Sequence, residues 1–155
     1  MKILGIDPGF GRTGWGVVEL VRREPTFVAC GCITTPSTMK FPERLIELHR
    51  QLGVVIKKYQ PQSAAVEKLF FFKNAKTAMD VGQARGVILL TLHHAGLSVH
   101  EMTPLQVKQT VTGYGRADKD QIGKMVKLLL GLKTVPKPDD VADALAVALT
   151  AGRVV

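Results

Sequence analysis

Two short apolar runs in this chain each stop on a carboxylate: residues 2–7 (KILGID) and residues 63–67 (SAAVE). Their length and bounding turn residues predict buried strands. An acid at the end of such a strand loses hydration and is costly unless something compensates it. Asp7 alone could cap the Pro-Gly turn that follows, and Glu67 alone could pair with Lys68. Together at two buried strand ends they favour a shared cation.

The rest of the pattern says how those ends meet. Residues 14–20 and 26–34 are strand-like, so the chain opens as an antiparallel meander. From Phe41 the period changes, and Phe41, Leu45, Leu48, Leu52, Val55 and Tyr59 describe an amphipathic helix stopped by Pro61. After the 63–67 strand come a helix from about Asn74 to His94 and a fifth strand at 97–101. Thr103 with Gln106 and Asp118 with Gln121 spell two capping boxes, and a last helix runs from near Pro138 through Leu149. The expected architecture is a mixed α/β sheet with helices packed on it, its first and fourth strands parallel neighbours. Asp7 and Glu67 would then lie side by side at the carboxyl edge, where open α/β sheets place their sites.

That last helix adds three acids, Asp139, Asp140 and Asp143, in DDVADALAVAL. Acids in a first turn suit the helix dipole, which accounts for Asp139 and Asp140. Asp143 lies one turn further in among apolar residues, at i,i+3 to Asp140, where two like charges destabilise a helix. A divalent cation reverses that repulsion. Carboxylates without His or Cys make a hard oxygen site that suits Mg²⁺, with Mn²⁺ as a substitute, and argue against zinc. Two such ions about 3.5–4 Å apart activate water and stabilise a leaving oxygen in phosphodiester hydrolysis.

Charge points the same way. The chain carries 21 Lys and Arg against 13 Asp and Glu, a net charge of +8, which favours a polyanionic partner. Five of the 13 acids belong to the set above, so the 21 basic residues face only eight acids elsewhere. At 155 residues the length predicts one domain over 1–155. The apolar run 87–92 is too short to span a bilayer, so no membrane role and a cytoplasmic location are expected. Cys30 and Cys32, two apart in a strand, read as reduced thiols and not as a disulfide.

Residues 9–14 (GFGRTG) match the dinucleotide fingerprint, but that motif must open a helix, and the residues after it read as strand. An actin-like ATPase also starts with Asp-x-Gly after a strand, yet needs a second similar domain. By contrast, IDPGFGRTGWGVV, VEKLFFFKNAKTAMDVGQARGV, VKQTVTGYGRADK and PDDVADALAVALTA resemble, in order and spacing, the RuvC family of Holliday-junction resolvases. The resemblance implies an RNase H-like five-stranded fold and paired, symmetric, metal-dependent nicking of four-way junction DNA by a homodimer. It also implies RuvA–RuvB as a partner complex.

Carried over by position, the resemblance places the metal-binding acids at Asp7, Glu67, Asp140 and Asp143, with Asp139 able to cap the helix or compete with Asp140. It places Lys108 and Lys119 beside the scissile phosphate and Phe70 against bases at the junction. Phe71, Phe72, Lys73, Lys76, Arg85 and Arg116 are weaker candidates for DNA contact. The nearest alternatives are a nuclease acting on other branched nucleic acid and a non-catalytic junction binder; the intact acid set argues against the second. Ala78, Gly82 and Gly86, every fourth residue of one helix, form a smooth stripe suited to a dimer helix or to packing within the chain.

Overall fold

The computed structural model describes residues 1–69 and 75–154. A five-stranded sheet with the order β3-β2-β1-β4-β5 organises the chain. Strands β1 (Lys2–Asp7), β2 (Arg12–Val21) and β3 (Glu24–Thr34) form the antiparallel meander, and β4 (Ser63–Glu67) and β5 (Ser98–Met102) add in parallel beyond β1. Helices α1 (Phe41–Tyr59) and α2 (Ala75–His94) cross over to β4 and β5; α3 (Pro104–Thr112), α4 (Lys119–Leu129) and α5 (Asp139–Val154) close the chain.

Both capping boxes form. The Thr103 hydroxyl accepts from the Gln106 amide while the Gln106 side chain accepts from the Thr103 amide, and Asp118 and Gln121 do the same. Helix α1 ends on Gln60 in the left-handed region, immediately before Pro61.

The sheet separates two cores. On one side Leu4, Ile6, Val17, Ala64 and Val66 pack against Leu48, Leu52 and Val55 of α1 and Ala84, Ile88 and Leu92 of α2. On the other, Ile3, Val18 and Ala65 meet α5, which is covered in turn by α3 and α4. Helix α5 is apolar nearly all round, as a helix enclosed between layers must be. Its approach to the sheet depends on three glycines. A Cβ at Gly5 would collide with the Ala144 carbonyl, one at Gly14 with the Asp140 backbone, and one at Gly16 with the Leu145 side chain.

Three differences from the sequence expectations have physical causes. Strand β2 begins at Arg12 and not at residue 14, because Arg12 and Thr13 pair with Thr34 and Ile33 across the meander. The inward face of α1 includes Arg44, which is buried. Its guanidinium donates to the Thr35 hydroxyl at 2.9 Å and the Thr35 carbonyl at 3.0 Å, and it lies 4.3 Å over the Phe10 ring. Among the described residues Gly82 and Gly86 meet nothing within 4 Å of where a Cβ would stand, so no described side chain packs against these two glycines of the stripe. Among the described residues no helix is long and apolar enough to cross a membrane, and Cys30 and Cys32 are free thiols.

Candidate active site

Parallel pairing aligns Ile6 with Val66, so the next residues, Asp7 and Glu67, end adjacent strands at the same edge. Asp7 lies opposite Gly14 on β2, and the missing side chain there lets the first turn of α5 come against the strand. The same contact that docks α5 thus delivers Asp140 and Asp143 to the strand ends. Three carboxylates, one from β4 and two from α5, converge on the electrostatics of Asp7. Burial pushes its pKa well above the usual carboxylate range, and the charges of Glu67, Asp143 and Asp140 push it further against the opposing charge of Lys119.

Asp143 is also raised, first by burial, with Lys119 opposing and Asp140 and Asp139 adding to the rise. Lys119, the first residue of α4, donates to Asp143 Oδ2 at 3.1 Å. Burial works to lower Lys119, but the attraction and hydrogen bond of Asp143, with Asp7 and Asp139 behind it, hold its pKa above the ordinary value.

Asp139 and Asp140 part company. Asp139 is exposed, and a hydrogen bond from Lys137 at 3.0 Å holds its pKa below the usual range. Asp140 turns inward, with its Oδ2 3.3 Å from Arg12 Nε. That ion pair is not a hydrogen bond, and the oxygen is a buried acceptor with no hydrogen-bond partner among the described residues. Such an oxygen is a place for a hard cation. Among the described residues no three His, Cys, Asp or Glu side chains already enclose an ion site; Asp140 and Asp143 instead each lean on a basic side chain.

The remaining basic candidates are dispersed. Lys108 is half-buried on α3, and its carbonyl accepts from the Thr112 hydroxyl. Arg116 and Lys76 are exposed. Arg85 is engaged within the chain, pairing with Glu101 and donating to the Glu67 carbonyl at 3.4 Å, which braces the end of β4. Phe70, Phe71, Phe72 and Lys73 lie outside the described residues.

Sequence reasoning missed Arg12 and Arg44. The GFGRTG segment reads as a turn, as a dinucleotide fingerprint in the wrong context and as part of the family resemblance, none of which gives Arg12 a role, although it follows Asp7 by five residues and opens β2. Arg44 stands at i,i+4 to the buried Leu48, the one signal that it faced inward.

An antiparallel meander, a parallel extension and acids at the central strand ends define an RNase H-like nuclease fold. The model of the family described as "Crossover junction endodeoxyribonuclease RuvC" matches residues 3–151. Crossover junction endodeoxyribonucleases RuvC from Caldicellulosiruptor saccharolyticus and Chloroflexus aurantiacus are 56% and 54% identical to this chain. Each alignment covers 96% of it, and 90% and 91% of those proteins. The solved Thermus thermophilus RuvC in complex with Holliday junction substrate superposes with a TM-score of 0.90 at 36% identity, covering 97% of this chain and 92% of that one. The chain belongs to the RuvC family and is an endodeoxyribonuclease; nucleases of this family are metal-dependent.

Proposed function

We propose that this chain resolves Holliday junctions by paired, symmetric nicks, with Asp7, Glu67, Asp140 and Asp143 holding two Mg²⁺ ions per subunit and Mn²⁺ serving as a substitute. The observation that carries the reading is the state of Asp7, a half-buried, desolvated carboxyl at the end of β1 under the charge of three others brought in from β4 and α5. Such a group gains most from a divalent cation. When bound, the ions supply an activated water and charge stabilisation at the leaving oxygen of the phosphodiester.

The protein's own part is positional. Glycines at 5, 14 and 16 fix α5 against the sheet, so the acids from α5 and the strand ends hold their separation without loops. Lys119, charged and already beside the acids, is placed to stabilise negative charge developing on the phosphate. Lys108, with the exposed Lys76 and Arg116, serves backbone phosphates. Phe70, with Phe71, Phe72 and Lys73 around it, stacks on bases at the junction by family position. Arg85 contributes by bracing Glu67.

Residues 1–155 act as one nuclease domain in the cytoplasm, paired as a homodimer and working with RuvA–RuvB. The open side of α2 supports the dimer: Met79 and Leu90 are exposed beside Gly82 and Gly86. The test is Mg²⁺-dependent cleavage of a four-way junction against linear duplex of the same sequence. Selective cutting of the junction that Asp7→Asn abolishes is the expected result; equal cutting of both substrates overturns junction selectivity.

A further inference from the structure

Arg12 is a basic residue to which the family resemblance assigns no role, and it stands against the one carboxylate oxygen that, among the described residues, is fully buried without a hydrogen bond. Its Nε lies 3.3 Å from Asp140 Oδ2, and that oxygen is buried with no hydrogen-bond partner among the described residues. A guanidinium that serves a carboxylate structurally presents its planar fork and donates two hydrogen bonds. Here only charge is supplied. The lone pairs of Oδ2 remain unused, so a hard cation replacing Arg12 there breaks no hydrogen bond.

The backbone beneath Arg12 is held firmly while its side chain is not. Arg12 pairs with Thr34 in the β2–β3 ladder, the Thr35 amide donates to the Gly11 carbonyl at 3.1 Å, and the Thr13 hydroxyl donates to the Gly9 carbonyl at 3.3 Å. The buried Arg44 clamps the same turn by covering Phe10 and binding Thr35. Yet the Arg12 side chain is 58% exposed. A long, solvated cation on a fixed anchor can change partners by rotamer alone. Lys119 differs, since it hydrogen-bonds Asp143.

We propose that Arg12 is an exchangeable counter-cation of the carboxylate site, holding Asp140 in the metal-free protein and turning out to a DNA backbone phosphate when a divalent ion takes Asp140 Oδ2. The proposal rests on reading Asp7, Glu67, Asp140 and Asp143 as the metal-binding set. Its consequence is that metal and DNA each favour the other, because each removes a competitor of the other from the same pair.

The test titrates Mg²⁺ into DNA-free protein by calorimetry, comparing wild type with Arg12→Gln, Lys137→Gln and Asp140→Asn. Arg12→Gln should bind Mg²⁺ about fivefold more tightly. Lys137→Gln, which removes an exposed cation paired, among the described residues, with the outward Asp139 alone, should change little. Four-way junction affinity is then measured in chelator and in Ca²⁺, a hard ion with looser geometry. Arg12→Gln should match wild type in chelator and bind about fivefold more weakly in Ca²⁺. Unchanged Mg²⁺ affinity in Arg12→Gln, equal tightening in Lys137→Gln, or the same loss of junction affinity with and without Ca²⁺ each overturns the proposal. Asp140→Asn reports on the underlying reading separately: full Mg²⁺ affinity there removes Asp140 from the metal set, whatever Arg12 does.

Discussion

Helices α2 and α5 are both rich in small residues, and the structure uses that smallness in opposite ways. Along α5, alanines at 142, 144, 146, 148 and 151 are buried, and the sheet answers with Gly5, Gly14 and Gly16, so helix and strands approach closely with nothing between them. Along α2, Ala84, Ile88 and Leu92 bury one side, while no described residue lies within 4 Å of where a Cβ would stand on Gly82 or Gly86, beside exposed Met79 and Leu90. Small residues at helical spacing therefore do not say what they pack against. On α5 the close approach carries two acids to the strand ends; on α2 no described residue makes such an approach at Gly82 or Gly86.

The comparison breaks most severely at the acids that α5 delivers. Asp143→Asn should lower junction cleavage by on the order of 10³-fold while junction binding stays equal or strengthens, because a charge facing DNA is lost. Cleavage assays with gel-shift binding on the same preparations decide it, and retained cutting in Mg²⁺ removes Asp143 from the site.

Next in size is the docking itself. Gly5→Ala forces a methyl into the Ala144 carbonyl and the Ala148 backbone. It should cost about 1–3 kcal/mol in denaturant unfolding, the usual penalty of overpacking. A Cβ at Gly86 on α2 meets no described residue within 4 Å, so Gly86→Leu should show no loss of fold stability in the same assay. Its expected effect is weaker self-association in sedimentation runs across a concentration series. Self-association at the wild-type level would leave the open face of α2 outside the dimer.

The buried acid sets a smaller, pH-dependent term. Folded Asp7 holds its proton to higher pH than it does unfolded, where the ordinary value is 3.8. Between those two values the folded state binds more protons, so metal-free stability falls as pH rises through that window. In chelator, Asp7→Asn should therefore melt above wild type at pH 8, with the difference closing as pH falls towards 4. A melting difference independent of pH would mean that the Asp7 charge is already compensated in the folded protein.

The smallest effect is expected at Asp139→Asn. This acid is exposed and tied to Lys137, so most cleavage activity should remain. A dead Asp139→Asn beside an active Asp140→Asn would exchange their roles.

Much of this was legible in the sequence for a local reason. Hydrophobic period and capping residues direct a side chain relative to its own element, which sufficed for the order of strands and helices and for both capping boxes. It sufficed also for placing Asp7 and Glu67 at strand ends and Asp140 and Asp143 one turn apart on a helix. What sits opposite a side chain is a different matter, because it depends on how elements distant in the chain approach one another. Only the tertiary structure decided that Asp140 turns inward and Asp139 outward, that Arg12 faces the buried Asp140 oxygen through charge without a hydrogen bond, and that Arg85 braces Glu67. It also decided which glycines admit a helix and which lie open, since a missing side chain takes its meaning from the neighbour that fills the space.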